Sequence, residues 1–184
     1  MISKAHIIGN GASNQLYQPD YGFVVACNWP THPYDYDAIS MIDLKMIDYI
    51  FKNQIEIKKP VYCTDQVMNF VRQKNVPGDY QVKYIQQHRM SSAHQAVKLL
   101  SDRFNEIHLW GIDSMFSKDV TSQMDSMVIR KSRAHSLKDD WRKHWRDIFF
   151  KYNQNQYVIH ATKIEEQFDY GPNTRIHSQQ TPGF

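Results

Sequence analysis

The chain has 184 residues, 41% of them hydrophobic, and a formal net charge of +3 at pH 7, which suits one domain with its own core and excludes a chain that is basic throughout. Cys27 and Cys63 are its only cysteines, and no apolar run approaches the roughly 20 residues that span a bilayer. We therefore expect a soluble, cytoplasmic protein with neither a disulfide framework nor a transmembrane segment.

The first part of the chain alternates short apolar runs, which predict buried strands, with amphipathic segments, which predict helices. Strands are predicted at residues 5–8, 22–27, 38–42, 60–64 and 80–85. Helices are predicted at residues 44–51, 66–74 and 92–104, with Asp65 as the N-cap of the second helix. Polar and apolar residues alternate in the last of these strands, which is typical of a strand near the edge of a sheet.

The second part of the chain continues this alternation. A strand at 106–110 ends in a glycine turn, apolar residues at helical spacing predict a helix over 137–152, and another strand is predicted at 156–160. Alternating strands and helices indicate an α/β, Rossmann-like fold, in which a mainly parallel sheet flanked by helices forms a single domain over residues 1–165. Residues 166–184 show no periodicity, and we predict a C-terminal arm or tail there.

The first predicted strand ends in a glycine-framed polar turn, Gly9-Asn10-Gly11-Ala12-Ser13. Glycines let a ligand approach the backbone and exposed N–H groups favour an anion, so one interpretation is a phosphate-binding loop. The other interpretation is an ordinary tight turn, because Gly9 and Gly11 do not form a complete dinucleotide fingerprint. The residues alone leave both interpretations open.

Polar side chains also follow the other predicted strands. Open α/β sheets bind ligands outside the carboxyl ends of their strands, so residues at these ends are expected to share one cleft. The candidates are Asn10, Ser13, Asn28, Asp43 and Asp113 at strand ends, and Arg89, Ser91 and Ser92 before a helix. Such side chains suit ribose hydroxyls and phosphate, and the sequence therefore predicts a nucleotide-type site at one rim of the sheet.

One segment, residues 130–146, concentrates the positive charge. Its seven cationic side chains stand against two carboxylates, which leaves an excess of five positive charges. The cations are Arg130, Lys131, Arg133, Lys138, Arg142, Lys143 and Arg146. One interpretation of this segment is a solvated helix face, and the other is a surface for phosphates, acidic sugars or nucleic acid.

Other candidate ligands follow no pattern that indicates chemistry. The nine histidines do not fall at a recognised metal-ligand spacing, so no metal site is predicted. Trp141 and Trp145 lie at helical spacing, which predicts core residues rather than a platform for a ligand. Cys27 is predicted to be a buried strand residue rather than a catalytic thiol.

Five short motifs, in chain order, resemble those of the bacterial sialyltransferases of the Campylobacter lipooligosaccharide type. That family has a Gly-Asn-Gly-Pro-Ser turn after its first strand, an Arg-Cys-Asn strand end, an Arg-Ile-Thr-Ser-Gly helix start, a Ser-Gly-Ile-Asp strand end and a Gly-His-Ser loop. The corresponding motifs here are residues 9–13, 26–28, 89–93, 110–113 and 134–136. The first and fourth motifs are also similar to those of Rossmann-like proteins related to a hydroxymethylpterin pyrophosphokinase.

The resemblance to the sialyltransferases implies a glycosyltransferase that takes a nucleotide-sugar donor of the CMP or UDP type, with a CMP-sugar favoured, and a hydroxyl-bearing acceptor. No further cofactor is implied. The general base would be His135, since an imidazole with a pKa of about 6.5 can take a proton near neutral pH. The resemblance places Asn10, Ser13, Asn28, Ser92 and Asp113 in the donor site.

To this donor site we add, from their positions, a second group of predicted nucleotide-binding residues: Gly9, Gly11, Asp43, Ser91 and Gly111. Arg89 is the second predicted catalytic residue, because a cation can stabilise the charge that develops on the departing phosphate. Loop amides near Gly11 or Ser92 are expected to help in the same way. The sequence thus predicts one site that combines donor binding with catalysis.

Two alternative functions stay open. A pyrophosphokinase-like transferase would use ATP with magnesium, held by Asp43 or Asp113. A non-catalytic, nucleic-acid-associated or structural protein would keep the fold and bind nucleic acid through residues 130–146. Assembly into a homo-oligomer is compatible with each of the three hypotheses.

Overall fold

The eight strands found in the described part of the chain belong to one sheet. The computed structural model describes residues 3–128, 133–134 and 136–179. The strands are β1 (Lys4–Ile8), β2 (Phe23–Cys27), β3 (Ala38–Met41), β4 (Val61–Thr64), β5 (Tyr80–Tyr84), β6 (Glu106–Trp110), β7 (Gln156–Ala161) and β8 (Thr174–Ser178). The α-helices are α1 (Leu44–Lys52), α2 (Asp65–Lys74), α3 (Ser92–Ser101) and α4 (Ser136–Lys151), and a 3-10 helix covers Ala12–Leu16.

The strands are ordered β5-β4-β3-β2-β1-β6-β7-β8, and every neighbouring pair is parallel. The chain builds outward from β1 to β5, crosses back to β6 beside β1, and then builds outward to β8. The predicted α/β, Rossmann-like single domain is therefore confirmed. The reversal of direction at β1 and β6 opens a crevice at the carboxyl ends of the strands, where such sheets bind ligands.

Helices cover the two faces of the sheet unequally. Apolar residues three and four apart give α1 one buried face, Met46, Ile47 and Ile50, which packs with α2 over β2, β3 and β4. On the opposite face α3 and α4 pack over the centre of the sheet, with Trp145 and Phe149 of α4 fully buried. Burial of each such side chain contributes about 1.5–3 kcal/mol, and these two layers form the main core.

On the side of the sheet that α1 and α2 cover, the residues that pack against the strands differ beyond β2. There, Ile8 and Trp110 pack against Tyr17 and its aromatic neighbours instead of against a helix. Further along the same face, β6, β7 and β8 carry histidines, of which His177 is exposed. This half of the face therefore carries polar rings next to its aliphatic side chains.

The predicted strands and helices are confirmed in number and order as far as residue 160, and β5 is an edge strand as its alternation predicts. The predicted cap of α2 is wrong by one residue, because Thr64 accepts from the Val67 amide and Asp65 begins the helix. The predicted C-terminal arm or tail is wrong for Thr174–Ser178, which pairs with β7 as the last strand. Four of its five residues are exposed, so this edge strand has no apolar periodicity that a sequence pattern can detect.

The C-terminal stretch also contributes to the core. Tyr170 is almost fully buried, and its hydroxyl donates to the Met115 carbonyl at 2.7 Å. Among the described residues, no helix combines the length and the apolar content that a membrane span requires.

Candidate functional site

A cleft of about 620 Å³, called here the main cleft, opens at the carboxyl ends of the central strands. Nine of the predicted site residues line it: Gly9, Asn10, Gly11, Asn28, Asp43, Ser91, Ser92, Gly111 and Asp113. Its wall also includes Lys45, Arg133, Leu137, Trp141 and Trp145. Residues far apart in the chain thus meet at one rim of the sheet, while their role in binding a nucleotide stays a prediction.

The glycines at the floor of the main cleft allow the loops after β1 and β6 to approach each other closely. The Gly9 amide donates to the Trp110 carbonyl at 2.7 Å, and the Gly11 amide donates to the Gly111 carbonyl at 2.8 Å. A Cβ on Gly9 would lie 2.5 Å from the Gly111 carbonyl oxygen, so a larger residue does not fit. Of the two interpretations of this turn, the structure favours the tight turn, because the Gly9 and Gly11 amides are used within the protein and do not face an anion.

Ser13 is fully buried behind this floor and does not belong to the predicted binding surface. Its amide donates to Asp113 Oδ2 at 3.0 Å and its hydroxyl donates to Asp113 Oδ1. The same hydroxyl accepts from the Gly111 amide at 3.1 Å. Ser13 therefore fixes the position of Asp113 in the cleft wall.

Asn10 also has a structural role, since it is only 7% exposed. Its Nδ2 donates to the Cys27 carbonyl at 2.9 Å, and its Oδ1 accepts from Thr31 Oγ1 at 3.2 Å. The Asn10 carbonyl accepts from the Gln123 amide at 2.8 Å. Asn10 thereby joins the end of β2 to the 3-10 segment that contains Gln123, and these hydrogen bonds use most of its polar atoms.

Asn28 and Ser92 bring the ends of β2 and β3 to the start of α3. Asn28 adopts the left-handed conformation with φ of 58°, which asparagine tolerates better than most residues. Ser92 Oγ donates to Asn28 Oδ1 at 3.1 Å and accepts from the Ile42 amide at 3.2 Å. Asn28 is half-buried, and within the described chain its Nδ2 has no acceptor, so this amide can donate to a ligand.

The start of α3 faces the main cleft and is capped by its own side chains. Ser91 Oγ accepts from the His94 amide at 3.3 Å, while His94 Nδ1 accepts from the Ser91 amide at 3.1 Å. Because His94 Nδ1 accepts a hydrogen bond, the proton of the neutral ring lies on Nε2. This Nε2–H donates to the Trp141 carbonyl of α4 at 3.1 Å. Burial lowers the pKa of His94 to about 3, so the ring is neutral at neutral pH.

His94 therefore fastens α4 to the first turn of α3, and its ring also stacks on Trp145 with ring centres 3.9 Å apart. The N-terminus of α3 carries a partial positive charge that favours an anion in the cleft. Ser91 and Ser92, predicted as binding residues, lie at this helix start.

Two tryptophans of α4 contribute to the wall of the main cleft. The indole Nε1–H groups of Trp141 and Trp145 are both buried, and neither has an acceptor among the described residues. A buried donor without a partner costs about 1–3 kcal/mol, so these two groups reduce the stability of the fold. The prediction that Trp145 is a core residue is confirmed, since this side chain is 1% exposed. The sequence did not indicate that Trp141 and Trp145 also line a cleft.

Two cations lie in the wall of the main cleft. Arg133 donates to both carboxylate oxygens of Asp125, at 2.8 and 2.7 Å, and to the Val120 carbonyl at 2.9 Å. Lys45 lies near the start of α1, where Asp43 accepts from its amide at 3.0 Å. Sequence reasoning missed both as site residues, because Arg133 was considered only as part of a charged segment and no motif surrounds Lys45.

Arg89, predicted as catalytic, lies outside the wall of the main cleft. It forms an ion pair with Asp140 of α4 and donates to Ser136 Oγ at 2.8 Å. This pairing lowers the pKa of the Asp140 carboxyl. The prediction for Arg89 is corrected accordingly: its guanidinium holds the start of α4 and does not face the cleft.

Within the basic segment, the described cations mostly bind the protein itself. Arg142 is 5% exposed and donates to the Ser114 and Ser117 carbonyls and to Glu166. Lys138 also pairs with Glu166, at 2.7 Å. His135, Arg130 and Lys131 lie outside the described residues, so the predicted general base has no described position.

No protein-family model, curated protein or solved structure matches this chain. The resemblance to sialyltransferases and to pyrophosphokinase-like proteins therefore depends on the five motifs alone. As for metals, the described residues contain no group of three or more histidine, cysteine, aspartate or glutamate side chains placed to hold an ion. Asp43 caps α1 and Asp113 is held by Ser13, so each predicted magnesium ligand already has a structural role.

Proposed function

We propose that the main cleft binds a nucleotide sugar and that the protein is a glycosyltransferase which transfers the sugar to a hydroxyl-bearing acceptor. The observation that carries this proposal is the start of α3, which opens into a cleft whose wall also holds Lys45, Arg133 and the side chain of Asn28. A helix N-terminus, two cations and an amide donor around one cleft form the pattern that phosphate oxygens satisfy. The volume of about 620 Å³ lies within the usual range for ligand pockets.

The wall of the main cleft contains two cations, Arg133 and Lys45, and two carboxylates, Asp43 and Asp113. Two guanidinium nitrogens of Arg133 already bind Asp125. A phosphate placed beside the two cations would gain charge-assisted hydrogen bonds, which are stronger than neutral ones. Asn28 Nδ2 and the hydroxyl group of Ser91 suit the carbonyl and hydroxyl groups of a pyrimidine nucleoside. The CMP-type donor that the motifs favour therefore stays our first candidate.

In the proposed reaction, the bond between the anomeric carbon and the phosphate oxygen breaks while the acceptor oxygen bonds to that carbon. The acceptor proton passes to a general base, for which we keep His135, the residue directly before α4 in the sequence. The negative charge that grows on the departing phosphate is stabilised by the N-terminus of α3 and by the cations of the cleft wall. The cleft also holds donor and acceptor in line for the transfer.

A cytoplasmic location belongs to the same proposal. Cys27 and Cys63 are both buried free thiols, and burial raises the pKa of Cys27 to about 12 and that of Cys63 to about 11. Such thiols are inert rather than catalytic, and their reduced state suits a reducing compartment.

A thermal-shift and calorimetric panel tests the proposal. The ligands are CMP, UMP, CMP- and UDP-sugars and ATP, each with and without magnesium, because a ligand that binds the folded state raises its Tm. We expect a pyrimidine nucleotide sugar to bind without magnesium and to be slowly hydrolysed. Binding of ATP only with magnesium would replace the proposal with the pyrophosphokinase-like alternative. Binding of nucleic acid alone, weakening steeply with salt, would replace it with the non-catalytic one.

A further inference from the structure

Four histidines lie side by side on the half of the sheet face formed by β1, β6, β7 and β8. His6 is in register with His108, and His160 is in register with His177. His160 also stacks on the indole of Trp110, with ring centres 3.4 Å apart and 5° between the ring planes. The strand register therefore groups histidines that are scattered in the sequence.

A hydrogen-bonded chain runs from Glu106 through His108 to His160. The Glu106 carboxylate lies 2.8 Å from His108 Nε2, and His108 Nδ1 lies 2.9 Å from His160 Nε2. A carboxylate only accepts, so His108 carries its proton on Nε2 and its Nδ1 accepts from His160 Nε2–H. Burial lowers the pKa of both histidines, which favours neutral rings. The chain thus fixes the tautomer of His160 and leaves a lone pair on its Nδ1.

His160 lines a second cavity of about 280 Å³ on this face. The wall of this second cavity consists of Leu16, Gln18, Trp110, His160, His177, Ser178 and Gln179. Within the described residues His160 Nδ1 makes no hydrogen bond, and the ring of His177 lies perpendicular to that of His160 with ring centres 5.2 Å apart. We propose that the second cavity binds a divalent transition-metal ion through the imidazoles of His160 and His177.

The chemistry of this pair fits such an ion. Neutral imidazole is a favoured ligand of zinc, copper and nickel, whereas magnesium and calcium prefer oxygen. Metal-bound histidines usually donate their other N–H to a carboxylate or a similar acceptor, and for His160 the ring of His108, held by Glu106, takes that place. The Trp110 stack restrains rotation of the same ring.

The spacing of the two rings also fits. With metal–nitrogen distances of about 2.0–2.1 Å, two imidazoles on one tetrahedral ion have their centres roughly 5 Å apart. The observed separation of His160 and His177 is 5.2 Å. Two protein ligands leave the other coordination positions to water or to side-chain oxygens of the cavity wall, which implies moderate affinity and a site open to exchange.

Zinc is the probe that tests this proposal. The full chain is freed of metal with EDTA, desalted, and titrated with Zn²⁺ by calorimetry. Bound zinc is counted by equilibrium dialysis against a buffer of fixed free Zn²⁺, and we expect one bound ion per chain at saturation. His160→Phe keeps an aromatic ring against Trp110 but removes the lone pair, and His177→Phe removes the second ligand from an exposed edge strand. Each substitution is expected to weaken zinc binding at least tenfold. His88→Phe changes an exposed histidine on a loop outside the second cavity, and we expect it to leave the affinity unchanged.

Nitrogen NMR of the wild-type chain gives a second test that does not depend on the folding of a variant. Without zinc, His160 should show the Nε2–H tautomer, and zinc should shift its Nδ1 resonance. Glu106→Gln is expected to weaken zinc binding by a smaller factor, since Glu106 acts only through His108. Absence of stoichiometric zinc, binding that survives both phenylalanine substitutions, or an Nδ1–H tautomer in the metal-free protein would each overturn the proposal.

Discussion

Ser13 donates both its amide and its hydroxyl to the carboxylate of Asp113, which lies 100 residues further along the chain. Two loops that follow β1 and β6 are thereby held together, and the close approach of Gly9 to Gly111 completes the contact. The residues that resemble a nucleotide-binding signature are therefore first of all the residues that join the two halves of the sheet.

We expect Gly9→Ala to lower the free energy of unfolding by roughly 2–3 kcal/mol, because the new Cβ would meet the Gly111 carbonyl oxygen and force the two loops apart. Lys59→Ala, which changes an exposed loop residue, is the control. Urea unfolding of both variants measures the difference. An equal or smaller loss for Gly9→Ala would show that the loops are not tightly joined.

Trp141→Phe is expected to weaken binding of the nucleotide that the panel identifies by about fivefold, since Trp141 lines the main cleft and the smaller ring gives up apolar contact worth roughly 1 kcal/mol. Trp29→Phe is the matched control, because Trp29 packs against the α1–α2 core. Calorimetric titration of each variant supplies the affinities. Equal affinities for Trp141→Phe and the wild type would remove Trp141 from the proposed binding site.

The stability of the protein should fall as the pH drops from 6.5 toward 4, partly because of His94. The unfolded chain protonates this histidine near its usual pKa of about 6.5, whereas burial lowers its pKa in the folded state to about 3. The unfolded state thus binds more protons in this window, at a cost to folding of up to about 1.4 kcal/mol per pH unit.

Urea unfolding across this pH range measures the effect. His94→Phe should flatten the pH dependence while lowering stability at pH 7, and His88→Phe, which changes an exposed side chain, should leave it as in the wild type. An unchanged slope in His94→Phe would mean that other groups cause the acid sensitivity.

Arg142→Met is expected to destabilise the fold by roughly 2–3 kcal/mol, because the Ser114 and Ser117 carbonyls lose their charged donor. Lys143→Met, the neighbouring exposed change, should alter stability by less than about 0.5 kcal/mol. The midpoints of urea denaturation compare the two. Similar small effects would restore the interpretation of this segment as a solvated face.

Local patterns were enough to predict most of the fold. Apolar runs of four to six residues between amphipathic segments predict buried parallel strands, and six of the eight strands follow this rule, while β5 was predicted from its alternation. The eighth, Thr174–Ser178, is exposed along most of its length, so its place in the sheet depends on pairing with β7 and not on its own composition. β5, the other edge strand, keeps an alternation that sequence reasoning detects, whereas β8 is exposed at four of its five positions and has none.

The candidate site could be predicted in part. Strand ends of a parallel sheet meet at one rim, which is why Asn28, Ser92 and Asp113 were expected together. The role of each side chain depends on contacts that spacing does not reveal: Ser13 faces inward, Arg89 pairs with α4, and Trp141 and Trp145 combine a core position with a place in the cleft wall. The roles of these side chains depend on contacts between segments that are distant in the sequence.

The interlocked loops at the floor of the main cleft limit how the protein can respond to a ligand. The amides of Gly9 and Gly11 are hydrogen-bonded to Trp110 and Gly111 at the end of β6, so the floor is already formed in the empty cleft. We therefore expect a ligand that rests on this floor to lose little affinity to the ordering of loops.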